Sequence, residues 1–195
     1  MRKGFVDLQV NGYLRVDFSA PSLGMEDICR VTEALVDAGT VAYCATLITS
    51  PLEIYRRNLP LIAKAMNEPG VRGRLLGIHL EGPYLSPEEG ARGAHQARWM
   101  RQPDRDEFNR LQEWSQGGIR ILTLAPELDG AIDLIGCIRK NHTTRIAIGH
   151  HLAGRDQSTL PLLPALRSQH ISGTDVQACS RAMQISFSIN WRTKD

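Results

Sequence analysis

Short apolar runs alternate with amphipathic segments along the chain up to about residue 150. Runs rich in Val, Ile and Leu are typical of buried strands, and apolar residues spaced three and four apart are typical of helices. Strands are predicted at Phe5–Val10, Val41–Thr49, Leu75–Leu80, Ile119–Leu124 and Arg145–Ile148. Helices are predicted at Met25–Ala38, Pro51–Ala65, Asp106–Gln116 and Ala131–Lys140. This strand–helix alternation with short connections indicates parallel strands joined by helical crossovers, and therefore an α/β fold.

Capping signals mark where two of these helices begin. Ser22 is a suitable N-cap for the first helix, because a serine hydroxyl accepts a backbone N–H at a helix start. Ser50 is predicted to cap the second helix, with Pro51 at the first helical position and Glu53 completing a capping box.

Polar residues that can do chemistry follow the carboxyl ends of the predicted strands. They are Gln9, Asn11, Glu81, Glu127, His150 and His151. The loops after the strands carry the active site in (β/α)8 barrels, and open doubly wound sheets use the same edge. No glycine-rich dinucleotide fingerprint follows the first strand, so a barrel is favoured. A complete barrel needs about 250 residues, so the prediction is a partial (β/α)8 TIM-type barrel of about five βα units and a tail.

The stretch Gly77–His95 contains the most distinctive of these strand ends. Its apolar strand ends in Glu81, and Pro83 stops the strand because proline fixes its own φ and restricts the residue before it. A polar loop then leads to His95. A carboxylate held rigidly at a loop mouth suits a metal ligand or a proton donor. From the spacing alone, a solvated glutamate at a strand end explains the pattern equally well.

Composition and charge narrow the range of functions. Of the 195 residues, 42% are hydrophobic and 23% charged, as in a globular chain with one sizeable core. A net charge of +2 without a basic stripe argues against a nucleic-acid partner. Cys29, Cys44, Cys137 and Cys179 lack the spacing of a disulfide framework or zinc ribbon and are predicted to be reduced thiols. The chain shows no signal peptide and no apolar run of about 18 residues, which predicts a cytoplasmic protein without a membrane partner.

The regular pattern is lost from Gly154 onward. Residues 155–195 are rich in Ser, Gln and Arg, and Pro161 and Pro164 interrupt their apolar run, which disfavours a regular helix. A boundary is therefore predicted near residue 154, with a partial barrel over 1–154 and a divergent tail over 155–195 that is disordered or frame-shifted. His142 and His170 are predicted to be surface or loop residues.

Five segments, in this order and spacing, carry a resemblance to a known family. They are Gly4–Gly12, Ala45–Ser50, Gly77–His95, Leu122–Glu127 and Gly149–Ala153. They resemble segments of N-acetylglucosamine-6-phosphate deacetylases, of the amidohydrolase superfamily. The resemblance implies a metal-dependent barrel hydrolase that converts N-acetylglucosamine-6-phosphate, a small amino-sugar phosphate, to glucosamine-6-phosphate and acetate. It also implies that full-length relatives are homodimers.

The resemblance also implies roles for individual residues. Glu81 and His150 would hold one divalent metal, Zn²⁺ or Fe²⁺, and His95 would polarise the substrate carbonyl. Gln9 and Asn11 stand where many superfamily members have the His-x-His pair of a second metal, so they are expected near the substrate or that second site. Carboxylate oxygen and imidazole nitrogen are ligand types that suit Zn²⁺ and Fe²⁺.

Other family features have no match in the chain. These are the third metal-binding histidine, the general-base aspartate and the later phosphate-binding residues. A truncated or frame-shifted chain would lose them, so little or no activity is expected of this chain alone. Glu127 is predicted to be a hydrogen-bonded structural carboxylate, His151 is given no role, and Arg15 replaces a glycine usual in the first loop.

Two alternatives stay open. In the first alternative, the chain is a non-catalytic fragment, or a half-barrel that pairs with another chain through its open sheet edges. In the second alternative, the chain is an amidohydrolase that acts on another amide.

Overall fold

A computed structural model describes residues 4–153 of the chain, and its centre is a parallel five-stranded sheet. The strands in chain order are β1 (Phe5–Val10), β2 (Gly12–Tyr13), β3 (Val16–Asp17), β4 (Thr40–Ile48), β5 (Leu75–Glu81), β6 (Ile119–Leu124) and β7 (Arg145–Ile148). The large sheet has the order β1-β4-β5-β6-β7, and every pairing in it is parallel. The five predicted strands are therefore confirmed, with the ends of two shifted by one residue.

Four helices connect these strands. They are α1 (Met25–Asp37), α2 (Leu52–Ala65), α3 (Arg105–Trp114) and α4 (Ala131–Asn141), and a 3-10 turn spans Ala97–Trp99. Each helix packs against the next one in the chain, so they form a layer beside the sheet. This arrangement confirms the predicted α/β fold built from consecutive βα units.

Both helix caps predicted from serines are wrong. The N-cap of α1 is Gly24, whose N–H donates to the carboxylate of Asp27 at 3.0 Å. The N-cap of α2 is Pro51, and the hydroxyl of Ser50 donates instead to the backbone oxygen of Ile48 at 2.9 Å. Serine hydroxyls bond readily to nearby backbone groups, and the hydroxyl of Ser50 bonds to the end of β4 instead of the start of α2.

The loop after β1 also differs from the prediction, since it contains a small hairpin of β2 and β3. Its two central residues, Leu14 and Arg15, have φ of 49° and 66°. A two-residue hairpin turn with positive φ at both positions favours glycine or asparagine, so neither residue signals this turn in the sequence. The glycine that relatives are expected to have at Arg15 would adopt this φ without steric cost.

The core has the composition expected when both faces of a parallel sheet are covered. Residues 42–47 of β4 are buried without interruption, whereas a half-exposed strand would alternate between buried and exposed positions. The α1 side chains Ile28, Val31 and Leu35 are buried as their spacing predicts. The described cysteines Cys29, Cys44 and Cys137 are free thiols.

Some predictions fall on parts of the chain that the structure does not describe. The boundary at residue 154, the tail over 155–195, His170 and Cys179 all lie outside residues 4–153. Within that range, no helix is both long enough and apolar enough to cross a membrane.

Candidate metal centre

Three side chains that can bind a metal converge at the carboxyl ends of the strands. Glu81 is the last residue of β5, His95 lies in the loop that follows, and His150 comes just after β7. One ligand atom from each lies within 4.8 Å of the other two. Glu81 and His95 are buried and His150 is half-buried. Residues 69 positions apart in sequence thus form one cluster, because parallel strands deliver their ends to the same edge.

The carboxylate of Glu81 is the centre of this cluster. Gln9 Nε2 donates to its Oε1 at 2.9 Å, and Asn11 Nδ2 donates to its Oε2 at 3.2 Å. His150 Nε2 lies 3.2 Å from Oε1, and His95 Nε2 lies 3.9 Å from the same oxygen. The four other residues that the sequence analysis assigned to the site therefore surround the carboxylate of Glu81.

Gln9 and Asn11 contact Glu81 through their amide nitrogens. Because an amide N–H₂ group is a donor, these atoms cannot at the same time bind a metal ion. In the observed arrangement the two side chains hold the carboxylate and fix its orientation. Such outer contacts align metal ligands in many proteins.

The chain must turn sharply after Glu81, and Gly82 makes the turn possible. Gly82 has φ of 90°, and a Cβ at this position would lie 2.3 Å from the hydroxyl oxygen of Thr49. Thr49 follows β4 and bonds to the backbone oxygen of Glu81 at 3.3 Å and to His95 Nδ1 at 3.0 Å. A glycine is required both for the positive φ and for the space that the threonine hydroxyl fills.

The two histidine rings contact each other, and Nδ1 of each ring forms a hydrogen bond on the side away from Glu81. Their rings meet edge to face with centroids 4.5 Å apart. His150 Nδ1 bonds to the backbone oxygen of Ala91 at 3.1 Å, and His95 Nδ1 bonds to Thr49. The Nε2 atoms of both rings consequently face Glu81. A metal-binding histidine commonly has its other ring nitrogen engaged in this way.

The side chains of Glu81, His95 and His150 shift one another's pKa values. Burial acts to raise the pKa of Glu81, but the hydrogen bond from His150 and the neighbouring His95 and Asn11 lower it to about 2. The hydrogen bond to Glu81 raises the pKa of His150 above its usual value, and burial lowers the pKa of His95. Near neutral pH the cluster therefore contains an ionised carboxylate, which is the form that binds a cation.

The donor set fits a divalent transition metal. It offers one carboxylate oxygen and two imidazole nitrogens, each within a few ångströms of the others. Zn²⁺ binds such oxygens and nitrogens at about 2.0–2.2 Å and in catalytic sites takes three protein ligands. Glu81 Oε1 and His150 Nε2 are 3.2 Å apart, which is close enough for both to bind one ion.

A second polar group lies deeper in the barrel and was missed by the sequence analysis. His79, two residues before Glu81, contacts the hydroxyls of Thr123 at 2.8 Å and Thr46 at 3.3 Å. Burial lowers the pKa of His79 to about 4, so its ring is neutral. The alternation along β5 points His79 to the same side as Glu81, which is the one signal that could have identified it.

The other predicted residues lie outside the cluster. Glu127 accepts a hydrogen bond from the Leu152 backbone N–H at 2.7 Å, which agrees with the predicted structural role. His151 is half-buried and is not one of the three clustered ligands, and His142 follows α4 and contacts Asn109.

The comparisons with known proteins agree with this geometry. No family model matches the chain. An N-acetylglucosamine-6-phosphate deacetylase from Bos taurus is 37% identical over 153 residues, which are 77% of this chain and 36% of the relative. The solved structure of such a deacetylase from Mycobacterium smegmatis is 34% identical, with a TM-score of 0.71, over 80% of this chain and 39% of the neighbour. N-acetylglucosamine-6-phosphate deacetylases are homologues of this chain.

The homology covers part of each relative, and the relatives include deacetylases named for two different amino-sugar phosphates. The chain spans less than half the length of these deacetylases, so only part of the full-length enzyme is matched. The partial-barrel prediction is confirmed, because the curled half-barrel superposes on part of these deacetylase barrels. An N-acetylgalactosamine-6-phosphate deacetylase from Escherichia coli O157:H7 is also 30% identical over 154 residues, 79% of this chain and 40% of the relative. A variant of the M. smegmatis enzyme with an aspartate changed to alanine has been solved in complex with N-acetyl-D-glucosamine-6-phosphate.

Proposed function

We propose that this chain carries part of the active site of a metal-dependent deacetylase. The reaction would hydrolyse the amide of N-acetylglucosamine-6-phosphate to glucosamine-6-phosphate and acetate. The observation that supports it is the convergence of Glu81, His95 and His150 at the strand ends of a half-barrel whose homologues are deacetylases. A loop mouth at this end of a barrel is where such enzymes bind their substrates.

Glu81 and His150 are the proposed ligands of one divalent metal, Zn²⁺ or Fe²⁺. When bound, such a metal lowers the pKa of a water molecule and polarises a carbonyl group. Glu81 suits this role because its pKa of about 2 keeps it ionised. His150 suits it because the Ala91 carbonyl engages Nδ1 and leaves Nε2 directed at Glu81.

His95 is proposed to face the acetyl carbonyl of the substrate. Its Nε2 lies on the Glu81 side of the ring, 3.9 Å from the carboxylate oxygen. A donor placed there can stabilise negative charge that develops on the carbonyl oxygen. Gln9 and Asn11 are proposed to line the same space while they hold Glu81.

Activity of this chain alone is expected to be low or absent. Glu81 is the only carboxylate in the cluster that the described residues form, and it would be bound to the metal. A separate group is then needed to move protons to and from the attacking water. The general-base aspartate and third histidine expected from the resemblance have no match in the sequence.

The experiment measures zinc content and deacetylation for the purified 195-residue chain and for Glu81→Gln. The proposal expects about one equivalent of Zn²⁺ per chain, which is lost in Glu81→Gln, because an amide is a poor metal ligand. Glu89→Gln, in the exposed loop after β5, is the matched control and should bind normally. Equal zinc binding by Glu81→Gln and the unaltered chain would contradict the metal site. Robust turnover by the 195-residue chain would contradict the expected inactivity.

A second candidate is a half-barrel that needs a partner chain. In the described part of the chain, β1 and β7 are the outer strands of the sheet, and Phe5 on β1 is 74% exposed. Such strands present unpaired backbone groups and invite association. Analytical ultracentrifugation that gives a compact monomer with cooperative unfolding would argue against this candidate.

The substrate within the amide class is also a proposal. We favour N-acetylglucosamine-6-phosphate over its galactosamine epimer, because the deacetylase of Bos taurus named for the first is 37% identical to this chain, whereas that of Escherichia coli O157:H7 named for the second is 30% identical. Binding of each compound to the zinc-loaded chain, measured by calorimetry, would rank them. A homodimer and a cytoplasmic location stay predictions from the resemblance and the composition.

A further inference from the structure

A long loop contributes to the position of both histidine rings of the metal centre. This β5–α3 loop covers residues 82–104, between the end of β5 and the start of α3. It carries His95, and its Ala91 backbone oxygen lies 3.1 Å from His150 Nδ1. Between residues 87 and 100 the backbone hydrogen bonds within the loop are short-range turns. The position of the loop therefore depends on contacts with other parts of the chain.

Arg101 connects the last part of this loop to its beginning and to a neighbouring strand. Its backbone N–H donates to the backbone oxygen of Pro83 at 3.1 Å. Its Nη1 donates to the backbone oxygens of Trp99 at 3.2 Å and Ser50 at 3.3 Å. Ser50 lies just after β4, and the exit of β4 also contacts the His95 ring. The guanidinium group therefore ties the end of the loop to a strand exit at the metal centre.

Glu107 holds the guanidinium group of Arg101 in this place. Arg101 Nε lies 2.9 Å from Glu107 Oε1, and the Tyr84 hydroxyl donates to the same oxygen at 3.3 Å. Glu107 is 9% exposed and Tyr84 is fully buried, so the carboxylate is shielded from water. Glu107 also lies in the first turn of α3, where the helix dipole favours a carboxylate. Such a pair resists breaking, because removal of one partner leaves the other charge without compensation.

These contacts require an arginine. Its planar fork offers five N–H donors in a fixed geometry, so Nε can meet the carboxylate while Nη1 meets two backbone oxygens. A lysine ammonium group would keep the charge opposite Glu107 but could not reproduce the fixed fork. Arg101→Lys therefore separates the ion pair from the backbone contacts.

We propose that Arg101 and Glu107 are a positioning pair that fixes the β5–α3 loop and thereby sets where His95 and the Ala91 carbonyl lie at the metal centre. The hydrogen bonds of the pair join the loop, the exit of β4 and α3, so the pair acts on the metal centre through the loop. The effect on a metal or a substrate rests on the proposed function. The position of the loop does not, because it follows from contacts within the chain.

The first test compares two histidine rings by NMR in the metal-free 195-residue chain. His95 lies in the loop, whereas His79 lies in β5 and contacts hydroxyl groups of the neighbouring strands, so its signal reports on the sheet. In Arg101→Gln and in Glu107→Gln, the ring signals of His95 should shift and broaden. The ring signals of His79 should stay where they are in the unaltered chain.

Trypsin cleavage after Arg98, measured by mass spectrometry, is a second readout of the same change. Arg98 is exposed and lies in the 3-10 turn of the loop. Proteolysis of a locally opened segment follows the population of the open form, and loss of a hydrogen bond to a charged group raises that population. We expect cleavage at least about tenfold faster in Arg101→Gln and Glu107→Gln. Arg101→Lys should lie between these variants and the unaltered chain.

Arg105→Gln is the matched control. Arg105 lies in the first turn of α3 and pairs with Asp133 at an exposed position, so its loss should change neither readout. The double variant R101Q/E107Q provides a further check. Two residues that act as one pair should lose no more together than the larger of the two single losses.

Three results would overturn the proposal. One is a His95 signal and a cleavage rate after Arg98 that Arg101→Gln leaves unchanged. Another is an equal effect of Arg105→Gln. The third is a shift of the His79 signal as large as that of His95, which would mean that the variant disturbs the whole sheet. If circular dichroism shows that Arg101→Gln does not fold, the same readouts on Arg101→Lys decide.

Zinc affinity connects the pair to the proposed function. Contacts that align metal ligands typically change the affinity about 10- to 100-fold, and we expect a zinc Kd raised about tenfold in Arg101→Gln and Glu107→Gln but not in Arg105→Gln. An unchanged Kd in the first two variants would overturn the role of the pair at the metal centre. If the unaltered chain binds no zinc, the proposed function loses its metal, and the two readouts on the metal-free chain still decide whether the pair fixes the loop.

Discussion

Gln9 Nε2 donates to Glu81 Oε1 at 2.9 Å, although β1 and β5 are separated in the sheet by β4. In a flat sheet two strands that are separated by a third lie about 10 Å apart, so side chains perpendicular to the sheet would not meet. The bond fits the curl of a sheet that superposes on part of a barrel, where side chains turn inward and approach one another. It is the feature that converts separate strand ends into one site.

The contact also predicts how the amides support the metal ligand. Gln9→Ala and Asn11→Ala each remove one donor to the carboxylate. Loss of such an outer contact typically weakens metal binding about 10- to 100-fold, and we expect a zinc Kd raised by about tenfold in each variant. Competition with a chromophoric chelator measures this, and Gln102→Ala at an exposed position is the control. Unchanged affinity in both variants would show that the amides do not support Glu81.

Zinc binding should tighten as the pH rises. Glu81, with its pKa lowered to about 2, is ionised throughout, but the raised pKa of His150 means that the metal must displace a proton from its ring. Below that pKa the affinity should rise about tenfold per pH unit and level off above it. In the metal-free chain the sign is opposite. The stability from the protonated His150 is fully present below about pH 6.5 and is lost as the pH rises through the raised pKa.

Titrations of zinc affinity between about pH 5.5 and 8 test this prediction. His150→Gln should remove the slope because it removes the competing proton. A slope that persists in His150→Gln would assign the proton to another group.

His79 should make the fold sensitive to acid. Burial lowers its pKa to about 4, whereas the unfolded chain titrates near 6.5. The unfolded state then binds more protons between these values, so stability is present above pH 6.5 and is lost as the pH falls toward 4. The total effect is about 3 kcal/mol. Urea unfolding at about pH 7 and pH 4.5 should show a smaller loss in His79→Gln than in the unaltered chain.

The comparison needs a histidine that is not in the core. His142→Gln, at the end of α4, provides it and should lose as much stability in acid as the unaltered chain. An equal loss in His79→Gln would place the acid sensitivity elsewhere.

Gly82→Ala should destabilise the chain and disturb His95. A Cβ at this position would lie 2.3 Å from the Thr49 hydroxyl, and φ is 90°. We expect a loss of about 2 kcal/mol or more in urea unfolding, together with a shifted His95 signal in NMR. Gly90→Ala is the matched control, since Gly90 has the same φ and nothing within 4 Å of an added Cβ. Equal losses in both variants would mean that only backbone strain matters and that Thr49 yields without cost.

Short-range patterns were sufficient for the strands, and they predicted the bounds of every helix to within two residues. β1, β6 and β7 have the predicted ends, because apolar runs of this kind have one stable place in a covered sheet. The capping residues of the helices were less predictable. Ser50 bonds within its own strand end instead of capping α2, a choice between two nearby backbone partners that a sequence pattern does not distinguish.

The sequence by itself determined the order of βα units and, through the resemblance, the residues Glu81, His95, His150, Gln9 and Asn11. These depend on periodicity and on the rule that parallel strands deliver their ends to one edge. Only the tertiary structure decided that the other four surround the Glu81 carboxylate, that His79 is buried below it, and that Thr49 and Ala91 form hydrogen bonds with Nδ1 of the two rings. Those contacts join residues far apart in the chain, and the curl of the sheet sets their distances, which no local pattern encodes.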